Sequence, residues 1–222
     1  MSRTDFNPSY VGNRPDIERL LPSEAKYILD VGCSNGVVGA AVKEKTGAQV
    51  FGIELSAEMA NEALDRIDKV FVGDATEIIL KGKLSGYHFD TIIFADILEH
   101  LIDPWITISA VARYLRPGGI IIASIPNIRH INTIYNLVIR GYWPYRDRGI
   151  HDRTHLRFFT RKNIYQLFEH AGLSIEIFRT NYRLLERPHK INHFARFFAL
   201  PGIRPFLAFQ YLIRARLTNH ST

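Results

Sequence analysis

Apolar residues along this chain fall into short, nearly continuous runs, separated by stretches with helical spacing. YILDVG (27–32) reads as a buried strand, and a helical stretch follows from Val37 to about Lys45. AQVFGIEL (48–55) is a second strand. In SAEMANEALDRI, Ser56 is placed as an N-cap, and Met59, Ala63 and Ile67 recur at the spacing of one helix face. KVFVGD (69–74) and HFDTIIFAD (88–96) give the third and fourth strands. PWITISAVARYL then predicts a helix that RPGG stops, and GIIIASIP (119–126) a fifth strand. Continuous rather than alternating apolar runs are expected of strands covered on both faces. Strands alternating with helices predict βαβ units and a mainly parallel sheet.

After Pro126 this rhythm breaks. Residues 127–160 are rich in Arg, His and aromatics and predict an excursion from the sheet. Helical spacing returns in RKNIYQLFEHAG (161–172). LSIEIFRTNYRL and FLAFQYLIRARL read as two closing strands, although the second also has the spacing of an amphipathic helix.

Composition narrows the class. At 222 residues, with 46% hydrophobic and 23% charged, the chain can bury one sizeable core. Cys33 is the single cysteine, which excludes an intramolecular disulfide and a Cys-based zinc site. The first residues lack the apolar core of a signal peptide, and no apolar run approaches a membrane span, so a cytoplasmic protein is expected. The net charge of +6 is uneven: Arg187 to Thr222 hold six Lys or Arg and no acid, which is the whole formal excess. A basic end suits nucleic acid, anionic lipid or a phosphorylated substrate, and equally a solvated edge.

Ligands of open α/β sheets sit outside the carboxyl ends of the strands. Each of the first four strands ends on an acid: Asp30, Glu54, Asp74 and Asp96. Gly32 and Gly36 allow a close backbone approach in the first turn. A nicotinamide fingerprint needs glycines at offsets 0, 2 and 5, but Ser34 and Val37 occupy the last two positions. Glu54 stands where a carboxylate can accept both hydroxyls of a ribose. A turn led by an acid suits a ligand amino group better than a diphosphate. Adenosine joined to an amino acid, as in S-adenosylmethionine, meets both conditions.

ILDVGCSNG, VFGIELS, VFVGDATEI, FDTIIFADILEHLIDP and LRPGGIIIASIPN together resemble the successive motifs of class I S-adenosylmethionine-dependent methyltransferases, in order, over about residues 25–127. Ser34 departs from the usual middle glycine. The resemblance implies an α/β, Rossmann-like seven-stranded sheet, mostly parallel with an antiparallel last strand, and helices on both faces. It implies one domain over 1–222, with a cofactor core at 25–127, a substrate-side lid at 128–160 and closing elements at 161–222. Asp30 and the turn of Gly32, Cys33, Ser34 and Gly36 would hold the methionine moiety. Glu54, followed by Leu55, would bind the ribose. Asp74 with Ala75 would meet the adenine edge, Ile97 or Leu98 would pack on the ring, and Asp96, at the fourth strand end, would be a further cofactor-binding residue. Tyr10 and Arg14 would contact the methionine carboxylate.

The stretch from Ile125 to Leu173 resembles bacterial methyltransferases of cell-surface polysaccharide biosynthesis and, more distantly, the ubiquinone-biosynthesis type. The first implies O-methylation of a sugar, as a nucleotide- or lipid-linked glycan. The alternatives are a quinone precursor, another small molecule or RNA, and, in a different class, a non-catalytic S-adenosylmethionine-binding or nicotinamide-dependent protein.

Methyl transfer is an in-line displacement, so the protein's task is to hold the nucleophile in line and often to accept its proton. His100, His151 and His155 are the candidate bases. His151 and His155 stand four apart, a spacing that can bind metal on a helix. Gly149, Thr154 and the lack of a third ligand nearby argue against that, and no metal is expected. One of the two as a base oriented by Asp152 is set against a loop-holding role for both; His100 is set between pocket and helix-end packing. Arg129 to Lys162 hold eight Lys or Arg against two Asp, with six aromatics, which suits a phosphorylated or nucleotide-linked acceptor. RNA fits that composition, but no separate RNA-binding domain is present. The basic C-terminal segment could lie on an anionic membrane; the preferred reading is a final strand and the helix before it.

Overall fold

Each apolar run predicted as a strand forms one in the computed structural model, which describes residues 12–186 and 189–218. The strands are β1 (Tyr27–Val31), β2 (Gln49–Glu54), β3 (Lys69–Val72), β4 (Phe89–Ala95), β5 (Leu115–Pro126), β6 (Leu173–Tyr182) and β7 (Ala208–Leu217). They lie in the order β3-β2-β1-β4-β5-β7-β6. β1 to β5 pair in parallel, and β7 runs antiparallel to both β5 and β6. The helical alternative for β7 is removed, because it is hydrogen-bonded on both sides.

The helices are α1 (Pro15–Glu18), α2 (Val37–Thr46), α3 (Ala57–Leu64), α4 (Ala75–Leu80), α5 (Pro104–Ala112), α6 (Ile131–Ile134), α7 (Arg161–His170) and α8 (Arg204–Leu207). Successive strand residues point to opposite faces. Leu29, Val31, Phe51 and Ile53 therefore join α4, α5 and α7 in one apolar layer. Ile28 and Val50 join α1, α2 and the end of α3 in the other. Side-chain caps fix three helix starts: Ser56 for α3, as the sequence signals, Asp103 for α5, and a Thr160–Asn163 capping box for α7.

β5 begins at Leu115 rather than Gly119. Leu115 pairs with Phe89, and pairing resumes at Thr91 with Ile120, so Arg116–Gly119 bulge opposite Asp90. Periodicity does not single out α4, whose six residues span less than two turns.

The excursion after Pro126 is tied down at both ends. The Asn127 amide donates to the carbonyls of Pro205 and Ala208 at 2.8 and 2.7 Å. His130 caps α6 through Nδ1, and its Nε2–H donates to the Arg183 carbonyl at 2.9 Å. A π-helical turn follows at Tyr135–Ile139. The chain returns to the carboxyl edge of the sheet, where Leu156 and Arg157 donate backbone N–H to the Glu99 carbonyl at 2.8 and 3.0 Å. Among the described residues, no helix is long and apolar enough to cross a membrane.

Candidate cofactor and acid–base site

The turn after β1 has glycines for two reasons, and neither is a ligand. Gly32 and Gly36 have left-handed φ of 76° and 80°. A Cβ on Gly32 would lie 2.9 Å from the Ile97 side chain, and one on Gly36 3.0 Å from the Ala63 Cα. Packing and backbone conformation alone demand both residues. The ligand signal comes from the acids around them.

Ser34 shares the left-handed conformation, with φ 49°. It is held there by Glu54, whose Oε2 accepts the Ser34 N–H at 2.8 Å while Oε1 accepts the Ser56 N–H at 2.8 Å. Glu54 thus joins the end of β2 to both flanking turns, and each carboxylate oxygen keeps a second lone pair for a hydroxyl. A non-glycine residue in this region carries strain of about 1 kcal/mol or more, and the Ser34 Oγ is buried without a partner. Ser34→Gly is therefore expected to raise the melting temperature by about 2–4 °C; a lower melting temperature in a thermal scan refutes the strain.

Asp30, at the end of β1, is 1% exposed, and neither carboxylate oxygen has a hydrogen-bond partner. Burial, and then the nearby Glu54, push its pKa up to about 7, against the opposing pull of Arg14. A buried carboxylate without a partner is costly to keep charged. A ligand bringing positive charge and N–H donors satisfies it, and an α-amino group beside a sulfonium does so. By this test the residues fit S-adenosylmethionine.

Arg14 and Asp96 are engaged with each other. Arg14 pairs with Asp96 through Nη1 and with Asp16 through Nε and Nη2, which uses three of its five N–H donors. Burial works against the Arg14 charge, but Asp96 and Asp16 outweigh it and hold its pKa above the ordinary value. Asp96, itself left-handed at φ 56°, also accepts Ser124 Oγ at 2.8 Å and the Gln210 amide. This acid locks β4, β5, β7 and the segment before α1 together.

The remaining predicted cofactor residues separate on inspection. The Cys33 side chain packs under β2, its Sγ 2.4 Å from where a Gly52 Cβ would stand, so it brings only backbone to the turn. Leu98 is fully buried in the core, which leaves Ile97 of that pair beside the turn. Asp74 caps α4, accepting the Glu77 N–H at 2.9 Å, and Ala75 begins that helix. Leu55 is 43% exposed. Tyr10 lies outside the described residues. A cavity bounded by Tyr27, Thr46 and Gln49 opens at the amino ends of β1 and β2, away from these groups.

The three histidines have different surroundings. His151 is fully buried: Nδ1 pairs with Glu186 Oε2 at 3.0 Å, Nε2 with Thr133 Oγ1 at 3.2 Å, and Trp143 lies against the ring. Burial opposes the Glu186 charge, but His151 and Arg146 more than offset it and keep that carboxyl below its usual range. Asp152 accepts the backbone and side chain of Thr154 at 2.8 and 2.6 Å. His155 donates Nδ1–H to the Ile150 carbonyl at 3.2 Å, which leaves the Nε2 lone pair 3.9 Å from Glu99 Oε1. The His100 ring stands edge-on to it at 4.6 Å, with Nδ1 3.0 Å from Thr154 Oγ1. Burial, and then the neighbouring His100, lower the His155 pKa to about 4. Burial, and then Asp96, raise Glu99 well above a carboxylate's ordinary value.

Glu99 was not singled out by the sequence reading, although it stands next to His100 and its Oε2 is buried without a partner. Donor atoms of Glu99, His100 and His155 lie within 4.8 Å of one another, a set that could hold a metal ion as well as pass a proton. His151, by contrast, belongs to a separate network. The sequence also gives no sign of Asp16, which accepts from Asn181 165 positions away, or of Glu186, which pairs with His151 35 positions away.

A family model described as a methyltransferase domain matches residues 10–176. The chain belongs to the methyltransferase-domain family. This methyltransferase-family chain is 28% identical over 170 residues to a ubiquinone biosynthesis O-methyltransferase of Cereibacter sphaeroides, covering 71% of itself and 64% of that relative. It is 28% identical over 177 residues to the enzyme of that name from Nitrosospira multiformis, covering 78% of itself and 71% of the relative. It thus spans less than two thirds of the Cereibacter protein's length. A SAM-dependent methyltransferase structure from Archaeoglobus fulgidus superposes with a TM-score of 0.64 at 19% identity, covering 91% of each chain. The N-methyltransferase NodS from Bradyrhizobium japonicum gives 0.59 at 15% identity, covering 92% of this chain and 94% of its own. Those two likenesses concern the fold, whose seven-stranded sheet with one antiparallel strand agrees with the expectation from sequence.

Proposed function

We propose that this chain transfers the methyl group of S-adenosylmethionine to an oxygen of a small-molecule acceptor. The observation that carries the reading is the pair of carboxylates about the turn, Asp30 buried without a partner and Glu54 latched to Ser34 and Ser56. S-adenosylmethionine supplies a methyl group already activated on a sulfonium. Asp30 offers the opposing charge for its cationic end, Glu54 the acceptor for its ribose, and Ile97 an apolar contact beside the turn. Arg14 keeps donors for the ligand carboxylate.

His155 is the proposed proton acceptor. Its Nδ1–H is fixed on the Ile150 carbonyl, so its Nε2 carries the lone pair on the side of Glu99. A base of this kind contributes about 10²–10⁴-fold. His151, with both ring nitrogens engaged, holds the excursion in place instead. His155→Ala is expected to lower kcat about a hundredfold or more while leaving S-adenosylhomocysteine affinity within about threefold; full turnover in the variant removes the role. The pKa near 4 keeps this ring neutral down to about pH 5, so the rate has no inflection from it at neutral pH.

Relatives named for O-methylation in ubiquinone biosynthesis favour a quinone precursor as the first acceptor to test. A sugar acceptor rests on the sequence resemblance alone. Radiolabelled methyl transfer to a panel of quinone precursors, nucleotide sugars and RNA decides among them, and no transfer to any oxygen acceptor counts against the reading.

A further inference from the structure

A second site lies beside the first. A cavity of about 610 Å³ is bounded by α1, the second half of β6 and residues between 196 and 204. Its wall carries Arg19, Arg179, Arg196 and Arg204, with Asp16 as the single carboxylate. That carboxylate is already held, by Arg14 at 2.9 and 3.1 Å and by the Asn181 amide at 3.2 Å. Among the described residues, none of the four arginines forms an ion pair.

Elsewhere Arg116 pairs with Asp90 and Arg214 with Glu176, whereas no carboxylate lies within ion-pair distance of these four among the described residues. The four are exposed, Arg204 donates Nε–H to the Ala199 carbonyl at 3.1 Å, and their convergence from three separate segments gives the rim of the cavity a positive potential. Planar guanidinium forks match phosphate oxygens two at a time. The volume is that of a small-molecule site, and Tyr182 adds an aromatic wall.

We propose that this cavity binds the phosphate groups of an anionic ligand, a phosphate ester or diphosphate. The site is distinct from the cofactor turn but shares a boundary with it, since Arg14 bonds Asp96 on one side and Asp16 on the other. Such a ligand comes either in solution or as a lipid headgroup. Phe197, 80% exposed, follows Arg196 directly and makes the second source testable.

The test titrates pyrophosphate into the full chain by calorimetry and sediments the chain with phosphatidylglycerol or phosphatidylcholine vesicles. Saturable binding of pyrophosphate, of phosphatidylglycerol vesicles only, or of both is expected, weakening with salt. Pyrophosphate alone identifies a soluble ligand; vesicles alone identify a headgroup. Removing one arginine is expected to weaken binding roughly tenfold or more, from the strength of a charge-assisted hydrogen bond. Arg179→Gln with Arg204→Gln should therefore lose at least that while S-adenosylhomocysteine binding stays unchanged. Should that pair fail to fold, Arg19→Gln with Arg196→Gln is judged by the same criterion. The proposal is overturned if the unaltered chain binds neither probe, or if the folded double variants bind as tightly as it does. Pyrophosphate binding without S-adenosylhomocysteine binding leaves this site standing and removes the methyltransferase reading.

Discussion

Glu54→Ala is expected to raise the dissociation constant for S-adenosylhomocysteine by about a hundredfold or more. Two hydrogen bonds to a charged acceptor are lost with the ribose, each worth about 1.5–3 kcal/mol, and about 1.4 kcal/mol is tenfold in affinity. The loss reaches beyond the ligand, because Glu54 also holds Ser34 in its left-handed conformation and accepts the Ser56 N–H. The free turn is expected to relax, so that part of the binding energy goes into rebuilding it. Glu54→Gln separates the two effects. It keeps the size but presents at most one carbonyl oxygen to two backbone N–H groups, and an intermediate affinity is expected. A change below about threefold for Glu54→Ala in calorimetry refutes the role.

The second large effect is one of pH. Without ligand, the Asp30 carboxyl titrates near 7 because burial and Glu54 disfavour its charge. A ligand carrying positive charge favours the ionised form, so its binding below that pH must expel a proton. Affinity for S-adenosylmethionine is expected to fall about tenfold per unit as pH drops below 7 and to level off above it. Proton release measured by calorimetry in buffers of different ionisation enthalpy follows the same curve. Asp30→Asn flattens both, and a wild-type affinity independent of pH from 5 to about 8 contradicts the assignment. The stability of the ligand-free chain moves the other way. The folded pKa lies above the ordinary aspartate value of 3.8, so the contribution from this group is complete below that value. It is lost as pH rises through 7, and the ligand restores it.

Much of the sheet was legible because β1, β2, β4 and β5 are apolar on both faces and the first four strands each end on an acid. What could not be read were consequences of folding rather than of pattern. The sequence could not tell Cys33 from its neighbours in the turn, since only the register of β1 against β2 places its sulfur under Gly52. It could not show that His151 and His155, four apart, face different partners. That division depends on Glu186 and Glu99, which reach them from β6's far end and from the turn after β4. The glycines of the first turn were legible but for an incomplete reason: they are required by Ile97 and Ala63 as much as by any ligand. Ser34 departs from the motif and is tolerated because Glu54 holds its N–H.

The placement of β7 between β5 and β6 also bears on how the chain is made. Until residues 208–217 have left the ribosome, β5 is an open edge and β6 has no strand to pair with. An exposed edge of that kind is a template for association between chains. Translation pauses or stops between Tyr182 and Ala208 should therefore yield aggregating fragments, and folding should complete only when β7 slots in. A truncation meant to remove the basic segment would remove that strand too, so its charges are better neutralised in place.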